Sequence, residues 1–348
     1  MIAINPSPTV TFGIPTFGRN RVLCETIRQV LHQTHTPDQI VIVDQTKDED
    51  HDEETLRFLQ KCDSIPGFRR VYQEIASLPK ALNRIVQESQ TDMVIFCDDD
   101  IEMPSTLVED HLSVFAKDPS LAAVGAQVLP RSGTAVDSLL PRSPWGFHRS
   151  LCPKNFAFRF EGPVIGGGNF SVRRMAWIAA GGADENVKFM SDEELAARMD
   201  QLGMKVVYDP SCSVRHLEAG RGGQAARRTT GLFREFNNCF SVMYFGMRYR
   251  RGFAKAGTIA QGFRASMDRQ TVLRPWRIPW ALTQFASALA SATVRSFQQR
   301  RSPFDTTAQA VHRSALKRQL EEGSDSHRFD AASIPSRRSQ LSREHVTQ

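Results

Sequence analysis

The chain has 348 residues, of which 41% are apolar and 24% are charged, and its net charge is +6 at pH 7. This composition excludes a disordered chain and a membrane-spanning protein, and it suits one compact domain with appendages. Residues 1–210 hold 21 Lys and Arg against 29 Asp and Glu, whereas residues 211–348 hold 23 against 9. The acidic front part argues against a nucleic-acid partner, and the basic rear part suits phosphates or an anionic membrane.

The N-terminus and the cysteines indicate the compartment. Residues 1–11 lack the basic and apolar regions of a secretory signal, and no uninterrupted apolar run is long enough to span a bilayer. The six cysteines form no CxxC pair and show no metal-type spacing, so we expect buried, reduced thiols. The sequence therefore predicts a cytoplasmic protein.

In the first half of the chain, short apolar runs alternate with segments of helical periodicity, a pattern typical of strand–helix units in a mainly parallel sheet. The predicted strands are Val10–Ile14, Ile40–Val43, Met93–Cys97 and Leu121–Val128. The predicted helices begin near Asn20, Leu78 and Pro104. The fold class is therefore α/β, with a Rossmann-like mixed sheet and helices on both of its faces.

The second half of the predicted domain is less regular. Residues 130–163 are rich in Pro, Ser, Arg and aromatic residues, which predicts a long loop. A helix over Ser191–Leu202 and a strand over Lys205–Tyr208 follow. We expect one compact domain over residues 1–250.

Beyond this domain, the sequence predicts two appendages. Residues 251–300 predict a helical extension, and residues 301–348 a disordered basic tail. Within the extension, Leu273–Phe297 mixes Trp and Arg before an Ala-rich helix. That segment suits either packing against the domain or a place in a membrane interface.

Three adjacent carboxylates, Asp98, Asp99 and Asp100, directly follow the predicted strand Met93–Cys97. The carboxyl end of a parallel strand opens on the crevice where α/β sheets bind ligands. Because the carboxylates repel one another, a divalent cation is the simplest way to offset their charge, and oxygen ligands suit Mg²⁺ or Mn²⁺. The alternative is a solvated turn before the next helix.

Other polar residues follow the two earlier strands. The first strand runs into Pro15, Thr16 and Arg19, and the second ends in Asp44. A carboxylate in this position can accept a hydrogen bond from the imino N–H of uracil or guanine, which would give base selectivity. Alone, each of these features is a weak signal.

Taken together, these motifs resemble glycosyltransferase family 2, whose members are inverting enzymes with a GT-A fold. The resemblance covers roughly residues 9–250 and implies a 1–250 catalytic domain, a nucleotide-sugar donor, preferably UDP-linked, and a glycan or glycolipid acceptor. The donor contacts that it implies are Pro15, Thr16, Arg19, Asp44, Lys80, Asn83, Asp98 and Asp99. Leu82 stands where the family commonly has Arg, and Lys80 is the expected substitute. The resemblance places the metal on Asp100.

His216 is a second candidate ligand for the metal or the diphosphate, and a surface or core histidine is the alternative. Two later motifs resemble the acceptor side of the same family. The first, Gly166–Arg173, supplies Gly167, Gly168 and Asn169 as acceptor contacts, with a tight turn as the alternative.

The second motif, Ser191–Leu195, matches the family's Glu-Asp-x-Glu/Asp-Leu pattern, with Ser191 in place of Glu. It implies that Asp192 is the catalytic base, which takes a proton from the acceptor hydroxyl, and that Glu194 contacts the acceptor. The alternative is helix capping, because acidic residues stabilise a first helical turn.

Arg221–Arg228 lacks the Trp of the Gln-x-x-Arg-Trp motif found in processive members, which implies one sugar per encounter. Two rival functions stay open. One is a nucleotidyltransferase that makes sugar nucleotides, although the loop after the first strand has few glycines for holding a triphosphate. The other is a non-catalytic module that binds nucleotide sugars or membranes through the basic rear part.

Overall fold

The computed structural model describes the chain over residues 8–135, 155–163, 165–187, 191–220, 222–223, 231–249, 253–267, 269–298 and 303–304. Most of the predicted loop 130–163, most of Arg221–Arg228 and nearly all of the predicted tail 301–348 lie outside the described residues.

A single mixed sheet forms the centre of the described part of the chain. Its strands are β1 (Val10–Thr16), β2 (Gln39–Asp44), β3 (Phe68–Tyr72), β4 (Met93–Cys97), β5 (Ile101–Glu102), β6 (Leu121–Leu129), β7 (Phe160–Glu161), β8 (Asn169–Arg173) and β9 (Lys205–His216). The order is β3-β2-β1-β4-β8-β6-β9-β5, with β7 paired to β9. The first four strands are parallel neighbours, and β8 runs antiparallel between β4 and β6.

Helices cover both faces of the sheet. They are α1 (Arg21–Leu31), α2 (Glu53–Cys62), α3 (Leu78–Glu88), α4 (Leu107–Lys117), α5 (Arg174–Ala180) and α6 (Ser191–Gln201). Successive side chains of a strand point to opposite faces, so Ile95 of β4 packs in the core with α1, α2 and α4, whereas Val94 and Phe96 pack with α3, α5 and α6. The predicted α/β sheet with helices on both faces is confirmed.

The last strand of the sheet is longer than predicted. Strand β9 does not stop at Tyr208 but continues to His216, with a register shift against β6 after Ala126. Asp209, Pro210 and Ser211 resemble a turn in sequence, but a bulge accommodates them within the strand. As a result His216 pairs with Ile101 of β5, beside the acidic run.

The C-terminal helices are α7 (Gly231–Tyr249), α8 (Phe253–Ser266), α9 (Arg269–Val272) and α10 (Ile278–Phe297). Apolar side chains of α7 pack against α10 through Met243, Tyr244, Ala288 and Ala292. Helix α7 thus packs against the helical extension and also contacts the sheet domain through Tyr244 and Tyr249, and the boundary at residue 250 stays a prediction. None of the helices in the described part of the chain is long and apolar enough to cross a membrane.

Candidate active site

The acidic run divides at the end of β4, and Asp99 turns into the protein. Its carboxylate accepts hydrogen bonds from Thr16 Oγ1 (2.7 Å) and Arg19 Nε (3.1 Å). Burial raises the pKa of Asp99 to about 6, although Arg19 and Thr16 act in the opposite direction. Asp99 and Thr16 thus tie β1 to β4. Their side chains bind each other here, and their contact with the donor stays a prediction.

Arg19 forms an internal counter-charge for the run. Its Nη2 donates to Asp100 Oδ2 (2.9 Å), which also accepts the Ala219 N–H (2.9 Å), and its Nη1 donates to the Ala219 carbonyl (3.0 Å). Gly222 lies against Arg19 with φ +81°, where a Cβ atom would be 2.7 Å from Arg19 Cδ. Arg19 therefore holds two carboxylates and the segment after β9, and its contact with the donor stays a prediction.

Asp98, Asp100 and His216 form a cluster of the metal-binding type, with one ligand atom of each within 4.8 Å of the others. Nε2 of His216 lies 3.3 Å from Asp100 Oδ1 and 3.6 Å from Asp98 Oδ2. Asp98 is partly exposed, so the cluster opens to solvent on that side. Two carboxylates and an imidazole fit Mn²⁺, and the carboxylates also fit Mg²⁺. The structure thus brings both predicted ligands together and adds Asp98.

The surroundings set the charge of this cluster. Burial raises the pKa of Asp100, while His216, the Ala219 amide and Arg19 act against the rise. The hydrogen bond with Asp98 raises the pKa of His216, against the opposite effect of burial. Both groups therefore hold a proton more readily than usual, and a divalent cation would compete with the proton for them.

The orientation of the His216 ring matters for metal binding. Its Nδ1 accepts the Glu218 N–H (3.0 Å), so the proton of the neutral ring is on Nε2 and faces the carboxylates. Binding a cation through Nε2 of the neutral ring requires the proton to move from Nε2 to Nδ1. The Glu218 amide, which donates to Nδ1, must then turn away. Glu218 has φ +52° and is the only non-glycine residue with positive φ in the described part of the chain, so its backbone is strained.

Asp44, the predicted base contact, is fully buried. Its Oδ2 accepts from His51 Nε2 (2.9 Å) and Arg70 Nε (3.0 Å), and its Oδ1 accepts the Thr46 N–H (2.9 Å). Burial alone would raise the pKa of Asp44, but the His51 and Thr46 hydrogen bonds and the Arg70 charge lower it. A base therefore reaches Asp44 only if His51 or Arg70 moves. Pro15 is buried in the neighbouring strand β1.

Asn83, a predicted donor contact, makes four hydrogen bonds within the protein, and its contact with the donor stays a prediction. Its Nδ2 donates to the Ala183 carbonyl (3.0 Å) and Glu185 Oε1 (3.1 Å), and its Oδ1 accepts from Trp177 Nε1 (3.2 Å) and the Ala183 N–H (2.8 Å). All hydrogen-bonding capacity of the amide is used, and it joins α3 to the turn after α5. Lys80, one turn earlier, is half-buried.

The predicted base and the acidic run meet at one short stretch of backbone. Asp192, in the first turn of α6, accepts the Gly167 N–H, and the Gly168 carbonyl accepts the Asp98 N–H (3.1 Å). Gly168 has φ +102°, and a Cβ atom there would lie 2.8 Å from Asp98 Oδ2. A glycine is therefore needed where Asp192 and Asp98 approach each other.

Asn169, a predicted acceptor contact, is fully buried in β8, and its contact with the acceptor stays a prediction. Its Nδ2 donates to the carbonyls of Gln127 (3.2 Å) and Cys212 (3.1 Å), and its Oδ1 lies 3.0 Å from His111 Nε2. Burial lowers the pKa of His111 to about 4, so the imidazole is neutral near pH 7. These side chains hold the strands together beneath the site.

Glu194 is also fully buried, and its contact with the acceptor stays a prediction as well. Its two oxygens accept from Arg198 Nε (3.1 Å) and Nη2 (2.6 Å), and Tyr249 Oη donates to it as well. The carboxylate therefore joins α6 to the end of α7. Of the predicted acceptor residues, the backbone of Gly167 and Gly168 stays closest to the acidic run.

Sequence reasoning missed several partners in this region, namely His51, Arg70, Ala219 and Tyr249. His51 and Arg70 flank Asp44 from 7 and 26 positions away, as the hydrogen bonds show. Ala219 acts through its backbone, which no side-chain motif reveals. The period of α7 indicates a buried face but not that Tyr249 donates to a carboxylate.

Comparisons with known proteins identify relatives of this chain by sequence and by fold. The model of the family "Glycosyl transferase family 2" matches residues 11–180. A relative, the O-antigen chain rhamnosyltransferase WbaN of Salmonella anatum, is 27% identical over 293 residues, which are 81% of this chain and 88% of that protein.

Two solved structures show the same fold. S. aureus TarS 1–349 in complex with UDP-GlcNAc has a TM-score of 0.55 at 13% identity and covers 92% of this chain and 94% of its own. GalNAc-T7 with UDP, GalNAc and Mn²⁺ has a TM-score of 0.54 at 14% identity, over 84% of this chain and 58% of its own. Residues 11–180 thus match glycosyl transferase family 2, and the chain is a glycosyltransferase with the GT-A fold.

Proposed function

We propose that the enzyme transfers a sugar with inversion from a nucleotide sugar, preferably UDP-linked, to a hydroxyl group of a glycan or glycolipid. One observation carries the proposal. Successive residues Gly167 and Gly168 contact Asp192 on one side and Asp98 on the other. A base and an acidic cluster thus flank one stretch of backbone, which suits a displacement between two bound substrates.

In the proposed reaction, Asp192 accepts the proton of the acceptor hydroxyl while the acceptor oxygen forms its bond to the anomeric carbon. The bond from that carbon to the diphosphate breaks on the opposite face, and the nucleoside diphosphate leaves with the bonding electron pair. The configuration at the anomeric carbon inverts because the enzyme forms no covalent intermediate. The Gly167 N–H orients the Asp192 carboxylate for this step.

Asp98, Asp100 and His216 would hold a divalent cation, Mg²⁺ or Mn²⁺. When bound, the cation would stabilise the negative charge that develops on the leaving diphosphate. Arg19 and the Ala219 amide occupy Oδ2 of Asp100, so Oδ1 is the oxygen that faces His216. Arg19 thereby orients the carboxylate toward the cluster.

The donor base and the sugar are separate questions. A carboxylate that reads the imino group of a pyrimidine does not separate uracil from thymine, because both carry the same N–H. The relative from Salmonella anatum is a rhamnosyltransferase, so a deoxyhexose is a candidate beside ordinary hexoses. A test of the donor therefore needs both uridine and thymidine nucleotides.

The relative's name also points to the acceptor, since it acts on an O-antigen chain. We propose an acceptor of this class, a polysaccharide precursor or its lipid-linked form. Such an acceptor presents its sugar at a bilayer, so we place the enzyme in the cytoplasm, in peripheral contact with the anionic inner face of the membrane.

A donor panel tests the proposal. UDP-, GDP- and dTDP-sugars are incubated with the enzyme and acceptor extracts, with and without Mn²⁺, and release of nucleoside diphosphate is measured. We expect release from one nucleotide class and a strong dependence on the metal. If no donor is bound or cleaved under any metal condition, the proposal fails. Release of pyrophosphate from a nucleoside triphosphate and a sugar phosphate would favour the rival nucleotidyltransferase.

A further inference from the structure

An exposed patch of apolar and basic side chains lies where α9 meets α10. We call it the Trp276 patch, and its members are Val272, Leu273, Arg274, Trp276, Arg277 and Trp280. Leu273 and Trp276 are 69% and 75% exposed, and Val272 and Trp280 are exposed as well. Four large apolar side chains within nine residues form a concentrated surface of the kind that marks an interaction site.

The backbone of this region turns the patch outward. Thr271 is buried, and its carbonyl accepts the Arg274 N–H (3.1 Å), while the Arg274 carbonyl accepts the Arg277 N–H (2.8 Å). These tight turns lead directly into α10. Trp276 and Trp280 are four positions apart on this helical stretch, so their exposed rings lie on the same side.

The charges around the patch have one sign. From Arg269 to Gln298 the sequence has four arginines and no acidic residue, and from Ile278 to Val294 it has no charged residue at all. Anionic lipid headgroups would therefore meet no repelling carboxylate on this segment. Arginine matches phosphate oxygens with its planar donors, and tryptophan prefers the boundary between membrane and water.

We propose that the Trp276 patch docks the enzyme on an anionic bilayer surface. The proposal names the residues for the membrane contact assigned above, and it rests on that proposed function. A second copy of the chain is a poorer occupant, because a twofold contact at the patch would bring Arg274 and Arg277 of both copies together. On a bilayer, the same arginines reach lipid phosphates while the rings enter the interface.

Vesicle binding by the full-length protein tests the apolar part of the patch. Vesicles of phosphatidylcholine alone are compared with vesicles that also contain phosphatidylglycerol, and bound protein is measured by sedimentation. We expect Leu273→Ser and Trp276→Ser each to weaken binding to the anionic vesicles about tenfold. The matched control is Ile75→Ser, which changes an apolar side chain with 63% exposure in the sheet domain and should bind like the wild type.

Charge-reversal variants test the basic part of the Trp276 patch. Arg274→Glu with Arg277→Glu should abolish the preference for phosphatidylglycerol, and added salt should weaken wild-type binding. The control is Arg21→Glu with Arg57→Glu, two exposed arginines on α1 and α2. Tryptophan fluorescence gives a second measurement, since Trp276 should shift to shorter wavelength when wild-type protein meets anionic vesicles, and Trp276→Ser should reduce that shift.

Several outcomes would overturn the proposal. The patch is excluded if its variants bind anionic vesicles as well as the control variants do, or if wild-type protein binds neither kind of vesicle. It is also excluded if the protein is a dimer that the patch variants convert to monomers. A protein that binds vesicles only after removal of residues 305–348 would exclude it as well. Donor cleavage without vesicles should be equal in patch variants and wild type, so failure of docking is distinguishable from failure of sugar transfer.

Discussion

The two sides of the candidate site are held in different ways. The donor side, Asp98–Asp100 with Arg19 and His216, is fixed from within the sheet by side chains at the ends of β1, β4 and β9. The acceptor side, Asp192 with Gly167, lies on α6, and the opposite face of α6 depends on the helical extension through Glu194 and Tyr249.

Because of this difference, we expect the two sides to respond differently to substitutions. The donor side contains its own counter-charge, so its carboxylates stay grouped before any cation binds. The acceptor side is placed by packing between two parts of the molecule. We expect changes on the donor side to affect the cation and the fold together, and a change of Asp192 on the acceptor side to affect the chemistry alone.

The largest effect should come from the acceptor side. Asp192→Asn removes the proposed base, and we expect the turnover rate to fall about 10²- to 10⁴-fold, because a positioned base contributes that much. Donor affinity should stay within a few-fold of the wild type. Steady-state kinetics and donor titration measure both. Asp200→Asn, on the same helix, is the matched control and should keep near-normal turnover.

Arg19→Ala breaks the donor side. It leaves Asp99 and Asp100 buried without their main counter-charge, so we expect a loss of about 3 kcal/mol or more in the free energy of unfolding. Chemical denaturation measures the loss, and titration with Mn²⁺ measures whether the cation partly restores stability. Arg19→Lys keeps the charge but not the forked geometry, so its free energy of unfolding should lie between those of the wild type and Arg19→Ala. An unchanged denaturation midpoint in Arg19→Ala would contradict the role assigned to Arg19.

Asp99 should make the free energy of unfolding depend on pH. Its pKa is raised from 3.8 to about 6 in the folded protein, so between these values the folded state binds the proton more tightly than the unfolded state. As pH rises through this window, Asp99 should lower the free energy of unfolding by about 2–3 kcal/mol. Asp99→Asn should lack this decline. The two proteins are compared by denaturation at pH 4, 5, 6 and 7.

Parallel pH curves for the wild type and Asp99→Asn would show that Asp99 is not the group responsible. Asp44 provides the contrast, because its pKa is lowered in the folded state. Its contribution to stability is present above the unfolded pKa and is lost as pH falls. Extending the pH series below pH 4 therefore separates the two carboxylates by the sign of their slopes.

The smallest effect should come from the support of the acceptor side. Tyr249→Phe removes the hydrogen bond to buried Glu194, and we expect a loss of about 1–2 kcal/mol in the free energy of unfolding. Donor-side metal affinity should not change. Tyr72→Phe, at a half-exposed tyrosine of β3, is the control and should have no measurable effect. A loss of Mn²⁺ affinity in Tyr249→Phe would mean that the two sides are not held independently.

Much of the fold follows from local patterns. The alternation of apolar runs and helical periods predicts β1, β2, β4 and the helices α1 and α3, because each pattern depends on residues a few positions apart. The place of Asp98–Asp100 is predictable for the same reason, since the strand before it ends where ligands bind.

The division of labour within the site is not predictable in this way. Whether Asp99 points inward depends on Arg19, about 80 residues earlier in the chain. Asn83, Asn169 and Glu194 occupy positions that motif resemblance associates with ligands, but partners distant in sequence bind their polar atoms inside the fold. The extension of β9 to His216 depends on a bulge, which a local turn signal hides.

The most direct test compares two variants in one titration. Binding of the preferred donor is measured by calorimetry with and without Mn²⁺, and transfer is measured on the same samples. We predict that Asp100→Ala loses the metal-dependent part of donor binding, whereas Asp192→Asn binds the donor normally and fails to transfer the sugar. The reverse pattern, with donor binding lost in Asp192→Asn and normal in Asp100→Ala, would contradict the assignment of the two sides.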